Sequence, residues 1–143
     1  MRLKGEVAQS AEEDMKAMGI FYTTCSVESL ADRNRSATVP GMLVDTGNEY
    51  TWVPAKTLEI IGVSREKKDI TLLMANGQRI TRSVGFAIVR TGEFFTVDEV
   101  VFANEGDLAL LGARSLEGFN ARVDSPQKKL LAAGPVPAAP MRR

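Results

Sequence analysis

Strand-like runs rich in apolar, β-branched and aromatic residues recur along the chain, and clusters of turn-forming residues separate them. Residues 19–27, rich in aromatic and β-branched side chains, predict a first strand; the polar stretch 31–36 predicts a turn, and 38–44 a second strand that runs into Asp45-Thr46-Gly47. After the strand-like residues 50–53, Pro54 stands where a first helical residue belongs and Gly62 where a C-terminal cap belongs, so a short helix is expected over 54–61. Residues 70–74 and 78–89 form two further strand-like runs. Ala75, Asn76 and Gly77 separate them, and Asn-Gly between such runs is the strongest short-range hairpin signal. Strands are expected at 94–97, 99–103 and 107–111, a second short helix at 113–117 before Gly118, and a closing hairpin from 122–124 and 128–131 around Ser125-Pro126-Gln127. The pattern is that of an all-β domain with two short helices and no twofold internal repeat.

The ends read differently. Within residues 1–17, Val7, Ala11 and Met15 share one helical face with Met18, and Ser10 with Glu13 has capping-box spacing; a short amphipathic helix and a disordered segment both fit. From 132 to 143 the composition turns to alanine and proline, as in an unstructured tail. One domain over 18–131 is the expected organisation, in keeping with a length of 143 residues.

Charge and composition narrow the chemistry. Lysine plus arginine (18) balance aspartate plus glutamate (18), so the chain lacks the basic field that draws proteins to phosphate backbones or anionic lipid, and nucleic acid is not an expected partner. No run of roughly 18 apolar residues suggests a membrane span, and a soluble cytoplasmic protein is expected. Histidine is absent and Cys25 is the single cysteine, which removes intrachain disulfides, Ser-His-Asp and Cys-His catalysis and histidine-containing zinc sites. Any acid-base chemistry must then use carboxylates, lysine or tyrosine, and no metal or cofactor is expected. Cys25, between Thr24 and Ser26 in a β-prone run, reads as a buried structural thiol. Arg33, Arg35, Lys67 and Lys68 read as solvated turn residues. Phe94 and Phe95, adjacent in a strand, must point to opposite faces.

The segment Leu43-Val44-Asp45-Thr46-Gly47 delivers a carboxylate from an apolar strand into a tight turn. Asp-Thr-Gly also occurs as an ordinary turn, because aspartate and glycine tolerate turn conformations. The catalytic alternative has a specific logic. Water hydrolyses a peptide bond when one carboxylate takes its proton while a second, protonated carboxyl polarises the carbonyl; two such groups about 3 Å apart share one proton because they cannot both ionise.

Context favours the second alternative. Leu110-Leu111-Gly112 lies downstream, just before the second predicted helix, and the Asn76-Gly77 hairpin falls between it and Asp45. With Met18-Gly19 before the first strand, Val53-Pro54, and Val123-Asp124, this order of short motifs resembles the retropepsin-like aspartic peptidases, in particular small bacterial proteins of that type, over roughly residues 18–131. The resemblance implies a closed β-barrel, one half of an acid protease, with a flap hairpin. It makes Asp45 the catalytic aspartate, Thr46 the residue that hydrogen-bonds across the dimer, and Gly47 a contact for substrate backbone. Ala75, Asn76 and Gly77 would form the flap tip, and Trp52 and Leu110 would line the pocket, although Trp52 reads equally as core. Glu49 would brace the loop against Arg114, or the two are simply surface charges. One position departs from the family, where alanine or serine usually follows Asp-Thr-Gly: Asn48 stands there, beside the substrate, and its amide is able to crowd substrate or hydrogen-bond the carboxylate.

Asp45 is the only aspartate followed by Thr-Gly; Asp107 and Asp124 are not. A mechanism that needs two carboxylates therefore implies a homodimer, in which a twofold axis supplies the second. The expected activity is that of an aspartic endopeptidase acting on extended polypeptide. The alternative is a retropepsin-fold peptide-binding or dimerisation module with little or no hydrolytic activity.

Overall fold

A computed structural model describes residues 20–141. The expectations for residues 1–17, and the start of the first predicted strand, lie outside the described residues. The described chain is mostly β. Its elements in order are β1 (Tyr22–Ser29), β2 (Ser36–Val44), β3 (Thr51–Pro54), α1 (Ala55–Ile60), β4 (Lys67–Leu73), β5 (Arg79–Thr91), β6 (Phe94–Ala103), β7 (Leu110–Leu111), α2 (Ala113–Gly118), β8 (Ala121–Asp124) and β9 (Lys129–Ala132).

Seven strands form one sheet in the order β1-β2-β7-β3-β6-β5-β4, and β1 also pairs with β5, so six of them hydrogen-bond in a closed circuit with β4 outside it. β8 and β9 make a separate two-stranded sheet, as the Ser125-Pro126-Gln127 punctuation predicts. The connections that matter for the site are the parallel ones. β7 lies parallel to β2, with Leu43 opposite Leu110 and Val44 opposite Leu111, and antiparallel to β3, with Trp52 opposite Leu110. A two-residue strand from late in the chain is thereby inserted between the two strands that flank the Asp45 turn.

α1 follows its local signals, whereas α2 runs through Gly118, which the sequence pattern places just past its end. Pro54 ends β3 and caps α1, one position earlier than a first helical residue. Gly62 closes the helix: at φ +80° it donates to the Glu59 carbonyl (3.1 Å) while Val63 donates to Leu58 (2.9 Å), the paired bonds of a Schellman ending that a left-handed residue permits. Arg35 then reaches over from the β1–β2 turn and donates to the Ile60 carbonyl, 2.6 Å away.

Several elements depart from the sequence pattern. β6 is one unbroken strand, not two, and runs through Asp98. The strand expected at 107–111 shrinks to Leu110–Leu111, because Asp107 folds the preceding turn by accepting from the Asn104 N–H (2.8 Å). In β2 an extra residue bulges at Pro40-Gly41 opposite Thr24, which suits a residue without an N–H. Arg33, Arg35, Lys67 and Lys68 are exposed as expected, but Lys67 and Lys68 stand in β4 and not in a turn, and Arg33 and Lys67 form surface pairs with Glu28 (2.8 Å) and Glu99 (3.0 Å).

The apolar interior falls into two clusters on opposite sides of the same strands. The larger holds Met42, Val44, Val53, Val100, Phe102 and Leu111, closed by Leu58 and Ile61 around α1 and by Leu116 and Phe119 around α2. The smaller holds Leu43, Trp52, Val84, Val101, Ala103 and Leu110, with Ile70, Leu72 and Ile80 of the β4–β5 hairpin packed over it. Phe94 packs against the larger cluster and stands 5.9 Å from Phe119, while Phe95 is 57% exposed beneath Arg90, as strand alternation requires. Cys25 is a buried free thiol whose pKa desolvation pushes up to about 11, which leaves it inert.

Candidate functional site

Asp45 sits on the turn between β2 and β3, and neighbours in the chain and in space fix it. Its N–H donates to the Leu111 carbonyl (3.0 Å), so the inserted β7 holds the residue from below. Its carbonyl accepts from the Asn48 N–H (3.3 Å), which closes the turn. The carboxylate is half-buried, and its own loop engages both oxygens: the Gly47 N–H donates to Oδ1 and the Asn48 Nδ2 amide donates to Oδ2, each at 3.0 Å. A carboxylate offers about four lone-pair positions, so each oxygen keeps capacity to accept from water. Thr46 and Gly47 are exposed at the tip of the turn.

The second support is Gly112. A Cβ there would collide with the Tyr50 carbonyl, so only glycine lets β7 and α2 approach the loop this closely. The residues after it complete the grip. Ala113 donates to the Asn48 carbonyl at 2.6 Å, Arg114 donates to the Glu49 carbonyl at 3.1 Å, and the Arg114 guanidinium lies 4.5 Å from the Tyr50 ring centroid. The expected brace between Glu49 and Arg114 is present as a long contact of 3.5 Å, with Glu49 72% exposed, so the backbone bonds and not this pair set the loop. Arg114 also comes within 3.7 Å of Glu99.

Trp52 and Leu110 are both buried in the smaller cluster, so the core alternative for Trp52 describes its packing. Yet that cluster is the one under the hairpin that carries Ala75, Asn76 and Gly77. These three form an exposed tip whose bonds stay within the hairpin: Gly77 donates to the Met74 carbonyl (2.9 Å), and Gln78 donates to Asn76 Oδ1 (2.9 Å). The structure thus places Asn48 on Asp45 and Leu110 beside Trp52, and leaves the hairpin tip exposed.

No protein-family model matches the chain, and no curated protein matches it.

Two arrangements at the site escaped the sequence. Arg82 of β5 grips Asp107 in a two-pronged ion pair, Nε to Oδ2 at 2.8 Å and Nη2 to Oδ1 at 2.9 Å, which ties the hairpin to the turn before β7. This guanidinium holds the Asp107 carboxyl below the usual aspartate range. The second is a file of hydrogen bonds from Gly112 through Thr51 and Ser115 to Asp98. Neither has a local signature, since the partners are far apart in the chain. A cavity of about 490 Å³ beside the same turn, bordered by Pro54, Ala55, Lys56, Ala103 and Asn104, does not reach Asp45. Among the described residues, no cluster of three or more acidic or cysteine side chains is placed to hold a metal ion, and no helix is long and apolar enough to cross a membrane.

Proposed function

We propose that the chain is one half of a homodimeric, retropepsin-like aspartic endopeptidase, with Asp45 as its catalytic carboxylate. The observation that carries this reading is the seating of Asp45: a carboxylate on an apolar strand end, held through its own N–H by a short parallel strand inserted between the two strands of its loop. An ordinary Asp-Thr-Gly turn has no need of such an insertion. The closed circuit of six strands supports the barrel that the resemblance implies, and the β4–β5 hairpin packed over Trp52 and Leu110 supports a flap.

In the dimer, Asp45 and its symmetry mate share one proton. The ionised member takes a proton from water, whose oxygen attacks the carbonyl carbon of the scissile peptide. The protonated member gives its proton to the carbonyl oxygen. The resulting tetrahedral diol collapses: the carboxyl that took the water's proton gives it to the nitrogen, the carbon–nitrogen bond breaks, and a diol hydroxyl gives its proton to the other carboxylate as the product carboxyl group forms, which leaves one proton on the pair. Substrate lies extended beneath the hairpin, where strand-like backbone hydrogen bonds hold it. Thr46, exposed on the single chain, is free to bond its counterpart across the axis.

The test is cleavage of an unstructured polypeptide at about pH 4 to 7, with Asp45→Asn alongside. Cleavage by the parent and none by the variant supports the reading; equal cleavage, or none by either, sinks it. Sedimentation at the assay concentration adds the second requirement, a mass of two chains.

A second reading has its own observation. The Asn48 amide already occupies Asp45 Oδ2, which suits a peptide-binding module in which the lytic water competes poorly. Asn48→Ala separates the two: a gain of cleavage from a silent parent favours the module, and retained cleavage in the parent excludes it.

A further inference from the structure

Beneath the loop runs a line of donors and acceptors whose direction is fixed by counting protons. The Gly112 N–H donates to Thr51 Oγ1 (3.0 Å), the Thr51 and Ser115 hydroxyl oxygens are 2.6 Å apart, and Ser115 Oγ donates to Asp98 Oδ2 (2.7 Å). Ser115 has one proton and gives it to Asp98, so Thr51 must donate to Ser115. Thr51 and Ser115 are both fully buried, and Asp98 Oδ1 accepts from the Glu99 N–H (2.7 Å). The file therefore ends on a carboxylate with both oxygens used. A proton on Oδ2 would reverse it, sending the Ser115 proton to Thr51 and leaving the buried Thr51 hydroxyl without its acceptor, at a desolvation cost.

We propose that Asp98, as a carboxylate, is a positioning residue for the Asp45 loop, acting through Ser115, Thr51 and Gly112. The residues on either side of Gly112 make the two bonds that seat the loop, Leu111 accepting from the Asp45 N–H and Ala113 donating to the Asn48 carbonyl. A shift of Gly112 is thus passed to Asp45 from both sides. The kinetic consequence rests on the peptidase reading; the structural coupling does not.

The surroundings of Asp98 make it responsive. Burial raises its pKa above the ordinary aspartate value, against the opposing pull of the Ser115 hydroxyl, the Glu99 N–H and the Arg114 cation, with Glu99 adding to the rise. Arg114 and Ser115 face it from α2, Thr51 extends the file from β3, Glu99 is its neighbour on β6, and its cross-strand partner on β5 is the uncharged Ala87. Lys67 of β4 is engaged by Glu99.

The experiment is a carboxyl and amide NMR titration of the full chain, with the Asp98 carboxyl carbon and the Gly112 and Asp45 amide protons followed together. Both amides are expected to shift with the midpoint of Asp98, and to lose that transition in Asp98→Asn and in Thr51→Val, whereas Thr51→Ser retains it. In cleavage assays, Asp98→Asn is expected to lower kcat about tenfold with KM within about twofold, and adding Ser115→Ala is expected to lower it no further, because both act through one file. A Gly112 amide indifferent to Asp98 ionisation in the parent protein overturns the proposal, and that measurement stands even where Asp98→Asn fails to fold. A parent that cleaves nothing while its Gly112 amide follows Asp98 removes the peptidase reading and leaves the coupling; a cleaving parent without the coupling does the reverse.

Discussion

Consecutive residues of β2, β3, β6 and β7 are buried on opposite sides of one sheet, and the two sides are closed in different ways. Val44, Val53, Phe102 and Leu111 face a cluster sealed by residues from around both helices. Leu43, Trp52, Val101 and Leu110 face one roofed by Ile70, Leu72 and Ile80, themselves only partly buried, on a hairpin with an exposed tip. The strands that carry Asp45 are thus anchored on one side by a sealed interior and covered on the other by a hairpin whose packed residues are only partly buried. Substitutions on the first side are therefore expected to act on stability, and on the proposed peptidase reading those on the second also on substrate binding.

The sharpest way to break the comparison is at the junction of the two sides. Asp45→Asn is expected to lower kcat at least about a thousandfold while the urea midpoint stays nearly unchanged, since the amide keeps the size of the carboxylate. A large fall in stability instead would make Asp45 a structural turn residue. Next come the two leucines of β7. Leu111→Ala, in the sealed cluster, is expected to cost about 3 to 4 kcal/mol in urea unfolding; Leu110→Ala, under the hairpin, about 2 kcal/mol, because the roof can settle into the gap, with KM raised severalfold. Equal losses with unchanged KM would erase the distinction between the sides.

A smaller effect concerns how the roof is tied down. Asp107, whose folded pKa is depressed by Arg82, contributes stability that is fully present above its unfolded value near about 4 and is lost as pH falls through the folded one. Asp98 has the opposite sign: its folded pKa is raised, so its contribution is greatest below the unfolded value and is lost as pH rises through the folded one. Arg82→Met is therefore expected to cost about 1 kcal/mol at neutral pH, a modest figure for an ion pair whose side chains remain 16% and 18% exposed, and nothing once Asp107 is protonated. Melting curves from neutral to strongly acidic pH check this, and a deficit that persists in acid would trace the loss to packing. Smallest of all, Phe95→Ser on the outer face is expected to change stability by no more than about 0.5 kcal/mol, the loss of its contact with Arg90 included.

Much of this molecule is readable residue by residue. Pro54 and Gly62 bracket α1, Asn76-Gly77 turns the hairpin, and Phe94 and Phe95 divide between inside and outside, each through a preference that acts over a few neighbouring residues. The misses share a cause. Asp98 looks like a break in an apolar run, yet β6 continues through it because Ser115 satisfies its carboxylate from another element. Asp107 looks like the start of a strand, yet its side chain turns the chain and takes Arg82. Local periodicity carries no information about a distant partner that makes a buried charge tolerable.

By itself the sequence determined the strand-rich character, the two helices, and a single Asp-Thr-Gly turn with an amide beside it, because steric and hydrophobic preferences of short segments are enough for these. Only the tertiary structure decided that β7 enters between β2 and β3, that Trp52 faces the hairpin side, and that a buried file of hydroxyls links Asp98 to Gly112. Those are long-range pairings, and they form where folding removes water and leaves each polar group to find its partner inside the protein.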